Sequence, residues 1–218
     1  MKISQKRKEV NNNKINMKKG QVIKAALKVF NIHGIENTKI SEIAKEADIG
    51  VASVYRYFEN KTNIVLEVAI LQWKNKIELF YDSYSEESLE NLNGYERVKE
   101  ILNIYLILLN KHPEFIAFLE QFDNFIIKEK IDSEILKKYE NNILNLKPVV
   151  INSIKIGKYD GSIRKDFDEN IFYITTTHLL MSLCQKLTLR GSVIKNDCTI
   201  SKETQVELAI EMALNYIS

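Results

Sequence analysis

Glycine and proline are scarce in this chain, with seven and two in 218 residues. A β-sandwich or an α/β enzyme of this length spends more of both on turns and phosphate loops, so the scarcity points to an all-α protein. Neither a GxGxxG nor a GxxxxGK[ST] motif is present. Two cysteines, Cys184 and Cys198, are too few for a disulfide framework. No CxxC pair exists, which sets aside zinc fingers and thioredoxin-like chemistry. The longest strongly apolar stretch runs from Ile101 to Leu109 and is broken by Asn103. It falls far short of the ~20 residues that cross a bilayer. The first twenty residues carry no apolar core of a secretory signal. The expectation is a cytoplasmic protein with no membrane partner. The histidines, His33, His112 and His178, are scattered, and neither HExxH spacing nor a nucleophile elbow occurs. No catalytic residue, metal ligand or cofactor is therefore expected.

What the chain does have is enough apolar material for a core, 45% of residues, beside 28% charged ones. Its length suits two domains. The net charge of +2 hides an asymmetry. Residues 1–62 hold 13 Lys or Arg against 6 Asp or Glu, a balance of +7, and the remainder is at −5. One end suits a polyanion and the other does not. We expect a mobile basic tail at 1–17, a DNA-binding domain at 18–62 and a larger helical domain at 63–218. The tail is either a solvated leader or an extra contact to phosphate or minor groove.

Helical periodicity begins near Lys18, where Val22, Ala25, Ala26, Val29 and Phe30 share one face. Gly34 sits where a helix is closed by a glycine. Ile40, Ile43, Ala44 and Ala47 mark a second short helix, and residues 51–58 a third. Between them Asp48-Ile49-Gly50 breaks the pattern, with Asp48 at a position that favours positive φ. Two short helices joined by a tight turn fit a helix-turn-helix. A long helix over about 61–81 follows. Further helices are expected near 95–110, 113–130, 133–157, 168–190 and 202–217. Pro148 should kink or split the third of these, and residues 157–162 read as a loop.

A major groove about 12 Å wide admits one helix, braced by a second against the backbone. On the second helix of the motif Val54 and Phe58 point inward. Val51, Ala52 and Ser53 are small enough to let the helix enter and touch bases. Tyr55, Arg56 and Tyr57 lie where they would hold backbone phosphates. Thr38 and Ser41 at the start of the bracing helix, and Lys61 at the start of the next, can bind phosphate as well.

The run TKISEIAKEADIGVASVYRYFENK, Thr38 to Lys61, resembles the DNA-binding signature of TetR-family transcriptional regulators. The likeness covers about residues 18–70. Asp48 stands at the family's usual turn glycine, and Gly50 at its common Ser or Thr cap. The resemblance implies phosphate contacts for Thr38, Tyr55, Arg56, Tyr57 and Lys61, and base-facing roles for Val51, Ala52 and Ser53. It also implies an all-α C-terminal domain, a homodimer, a palindromic operator in double-stranded DNA and a small-molecule inducer that releases a repressor. A regulator answering to a protein partner, or an activator, is the alternative.

The last two helices carry apolar residues on more than one face. Ile171, Ile174 and His178 form one stripe, and Leu180, Leu183, Cys184 and Leu187 another. In the terminal helix Val206, Ala209, Ile210, Ala213 and Ile217 form one face, and Leu208, Met212 and Tyr216 a second. A helix wet on one side needs only one such face. A homodimer through these two helices is expected, with burial inside one subunit as the alternative. Aromatic residues recur in the middle helices, either as ordinary core or as the lining of an apolar ligand pocket. The pocket residues expected are Tyr105, Phe118, Phe122, His178 and Gln185.

Overall fold

The computed structural model describes residues 2–83, 89–143, 146–191, 193 and 199–218, with backbone alone for 2–11 and 77–83. Among the described residues there are eleven helices and no strand. The chain divides into two compact units. The first comprises residues up to 74 together with 121–143, and the second comprises 75–120 and 144–218. The expected division at residue 62 differs from this. A boundary read along the chain cannot anticipate that a later segment folds onto an earlier one.

The first unit opens with α1, Lys2–His33. Val22, Ala26 and Phe30 are buried along one face of it. The helix does not begin near Lys18 as expected. Residues 2–17 contain no glycine or proline to break it, and Lys, Arg, Gln and Met favour the helix. Gly34 closes α1 at φ +79°, and its N–H reaches the Phe30 carbonyl at 2.8 Å. The short helix α2 covers Ile40–Glu46 and α3 covers Val51–Phe58. Asp48 has φ +52°, the left-handed conformation the turn requires. Ala44 is buried where α2 meets α3, and Val54 and Phe58 face inward. Helix α4 spans Lys61–Ser83. The Asn60 side chain accepts the Asn63 N–H at its start.

Helix α7, Pro113–Lys128, is shared between the units at residue 120. Its last turns and α8, Ser133–Glu140, belong to the first unit. There Phe122 packs on Tyr139 with ring centroids 4.6 Å apart, and the Trp73 indole N–H donates to the Tyr139 hydroxyl at 2.8 Å. Burial pushes the Tyr139 phenol up to about 12.

The second unit holds α5 (Gly94–Leu102), α6 (Ile104–Lys111), the first turns of α7, α9 (Lys147–Asp160), α10 (Glu169–Leu189) and α11 (Lys202–Ile217). Asn103 separates α5 from α6, where a single helix was expected. Pro148 opens α9 and so splits the expected 133–157 segment. Residues 157–160 are helical and not a loop. Gly157 is there for close packing: a Cβ on Gly94 would lie 2.0 Å from the Gly157 backbone nitrogen. The two glycines let α5 and α9 cross in contact, and the Asp160 carboxylate accepts the Gly94 N–H at 2.9 Å. Ile101, Leu109, Ile154, Leu180, Cys184 and Val206 lie in the core. Burial pushes the Cys184 thiol up to about 12, and Cys198 is outside the described residues. No described helix is long and apolar enough to cross a membrane.

Candidate nucleic-acid interface

Helix α3 buries Val54 and Phe58 and turns its other side outward. Val51 is 40% exposed and Tyr55 50%. Ala52 and Arg56 are exposed with them, so positions i, i+1, i+4 and i+5 form one outer strip. Ser53 and Tyr57 are half-buried at its edges. The Arg56 guanidinium stacks on the Tyr57 ring at 5.2 Å. Its Nη2 lies 3.4 Å from the Tyr57 hydroxyl and 3.5 Å from Ser53 Oγ. A cation and two phenols therefore stand beside a strip of small side chains. That is the chemistry of a helix whose end and edges grip phosphates while its middle meets base edges. Ser41 is exposed in the first turn of α2.

Two expected phosphate contacts are used by the fold instead. Thr38 is 2% exposed, and its hydroxyl donates to the Gly34 carbonyl at 2.7 Å. Lys61 is half-buried, and its ammonium donates to the Glu36 carbonyl at 2.9 Å and lies 5.8 Å from the Phe125 ring centroid. Burial holds its pKa below the ordinary lysine value, against the pull of Glu129, Glu36 and Glu42. Both side chains fix the loop between α1 and α2. The last turns of α7 grip the same loop, where Gln121 Oε1 accepts the Ile35 N–H at 2.9 Å and Lys128 pairs with Glu36 at 2.8 Å. Reasoning from local spacing missed Gln121 and Lys128. Nothing near them in sequence marks them, because their partners lie 86 and 92 positions away.

The five expected pocket residues do not come together. Phe122 lies in the first unit, on Tyr139. His178 is exposed on the outer stripe of α10. Phe118 and Gln185 are buried in the second unit. Tyr105 lines a small cavity together with Val150, Phe172 and Thr176. That cavity holds about 10 Å³, at the limit for one water.

Known proteins carry the same arrangement. A family model described as bacterial regulatory proteins, tetR family, matches residues 22–68. The fatty acid metabolism regulator protein of Bacillus subtilis (strain 168) is 29% identical over 125 residues, covering 56% of this chain and 61% of its own length. A probable HTH-type transcriptional regulator of the same organism is 25% identical over 55% of this chain and 58% of its own. This chain thus aligns to about three-fifths of each. Among solved structures, a TetR family transcription regulator from Marinobacter aquaeolei VT8 superposes with a TM-score of 0.60 at 20% identity, covering 94% of this chain and 98% of that one. The fatty acid degradation regulator FadR from Bacillus halodurans superposes with a TM-score of 0.58 at 23% identity, covering 90% and 94%. The relatives named are regulators and not enzymes. Residues 22–68, from Val22 in α1 into α4, thus match the model of the tetR family of bacterial regulatory proteins, and the helical fold is shared over nine-tenths of the chain with solved structures.

Proposed function

We infer that the chain is a homodimeric repressor that binds a palindromic operator in the cytoplasm and is released by an apolar small molecule. The observation that carries the DNA contact is the outer strip of α3, where exposed Tyr55 and Arg56 stand beside Val51 and Ala52, with Tyr57 at the edge. Ser41, Val51, Ala52, Ser53, Tyr55, Arg56 and Tyr57 are the contacts assigned. The homodimer draws support from the last two helices. Leu179, Leu208, Met212 and Tyr216 are each at least half exposed, while Leu180, Val206, Ile210 and Ile217 on the opposite faces are buried. A groove of about 340 Å³ between α10 and α11, lined by Phe172, Thr176, Ala209 and Ala213 among others, can receive apolar knobs of a second copy. Two such copies set two recognition helices about 34 Å apart, one turn of the duplex.

An inducer entering the second unit has to open space beside Tyr105, because the cavity there is nearly filled. The name of the Bacillus subtilis relative makes acyl compounds the first ligands to try. The small size of that cavity also favours a second reading, control by a protein partner. Selection of bound fragments from the source genome, followed by gel shift and sedimentation, separates the two. A dimer on a palindromic fragment that dissociates with an acyl compound is the expected result. A monomer, or no enriched fragment, contradicts it. A stable dimer–operator complex that ignores all apolar ligands selects the second reading.

A further inference from the structure

We propose that the first half of α1, residues 2–19, is a second DNA-contacting element that lays its cations along phosphates flanking the stretch met by α3. The inference rests on the reading that α3 enters the major groove. Residues 2–19 hold seven Lys or Arg against one acid, Glu9. Like charges fall four apart at Lys2 and Lys6, and again at Lys14 and Lys18, spacings that destabilise an isolated helix. The helix nevertheless runs unbroken from Lys2 to His33. Among the residues whose side chains are described, its buried apolar face starts at Val22, and residues 12–18 are mostly exposed. No core therefore calls for the exposed residues 12–18, and a polyanion would relieve the self-repulsion of the stretch.

Its position favours the same duplex. Asn16, Lys19 and Gly20 line one groove with Tyr57, Phe58 and Glu59 at the C-terminal end of α3, and Lys19 Nζ lies 5.8 Å from the Phe58 ring centroid. The C-terminal end of the cationic stretch thus lies beside the recognition helix. From Lys19 back to Lys2 it spans about 26 Å at ~1.5 Å per residue, close to the length of seven or eight base pairs. The matched family segment begins only at residue 22, so the element is additional to it.

The test compares the full chain with a variant carrying Lys6→Gln, Arg7→Gln, Lys8→Gln and Lys14→Gln, which keeps helix length and propensity. Affinity for a selected duplex is measured between 50 and 200 mM salt. Each phosphate left without its cation makes the log–log slope shallower by about 0.9. The expected result is a slope shallower by at least about 2, an unchanged sequence preference, and a weakening that disappears on a duplex trimmed flush with the selected site. An unchanged slope, or a change in sequence preference, overturns the proposal. Failure of the unsubstituted chain to bind any duplex is a different outcome: it removes the α3 reading and this inference with it.

Discussion

Two outward faces of this molecule are similarly exposed and chemically opposite. On α3, small side chains at Val51, Ala52 and Ser53 are followed by Tyr55, Arg56 and Tyr57, with the Arg56 guanidinium beside the Tyr57 hydroxyl. On α10 and α11, Ile171, Leu179, Leu208 and Met212 present hydrocarbon to water. Hydrocarbon gains from meeting hydrocarbon, at roughly 25 cal/mol per Å² buried. Phenols and guanidinium keep their hydrogen bonds at a phosphate surface and release counterions there. The proposed function assigns these faces different partners, a polyanion for the first unit and a like surface for the second.

A charge at the centre of the apolar face should erase this contrast most completely. Met212→Arg leaves an uncompensated charge in the proposed interface, at a cost of at least about 3 kcal/mol, or more than a hundredfold in dimer dissociation. Sedimentation should show monomers while circular dichroism stays helical. Next in size is Gly94→Ala, whose added Cβ meets the Gly157 backbone. Overpacking of this kind costs ~1–3 kcal/mol or more. Denaturation should show the second unit weakened, and the first should keep its hydrogen-exchange protection. Arg56→Ala is expected to weaken DNA binding by about 1–3 kcal/mol and to reduce the salt slope by about 1, with no change in unfolding midpoint.

Thr38→Val does the reverse. It removes the bond to the Gly34 carbonyl, lowers stability by about 1 kcal/mol and leaves the salt slope as it was. The smallest effect concerns His112, in the second unit. Burial, and then the ammonium of Lys76 at 2.9 Å, hold its pKa below the ordinary histidine value, with Glu114 opposing. The unfolded chain therefore takes up the proton first, and stability contributed there is lost as pH falls from the unfolded value through the folded one. An NMR titration should show Lys76→Met raising the His112 pKa part of the way, since burial remains.

The helix-turn-helix is legible in the sequence because its determinants are local. Asp48 at positive φ, Ala44 at the crossing and Val54 with Phe58 inward all lie within one stretch of fifteen residues. The two faces of α11 are legible for the same reason, since period alone separates Val206, Ile210 and Ile217 from Leu208, Met212 and Tyr216. Period does not say which neighbour a stripe meets. His178 shares its stripe with exposed Ile171 and Ile174, and Phe122 packs on Tyr139. Gly157 reads as a turn residue because its partner, Gly94, is far away in the chain. Lys61 does stand at a helix start, yet its ammonium is committed to Glu36, 25 positions earlier.

The outer strip of α3 is the feature on which the DNA contact depends. Its sharpest check is the salt dependence of binding to a genome-selected duplex, for the chain and for Tyr55→Ala combined with Arg56→Ala. A steep slope is expected for the first, and for the second a weaker complex, a shallower slope and the same helical spectrum. A double variant that binds the same duplex with the same affinity and slope would contradict the assignment of α3 to the groove.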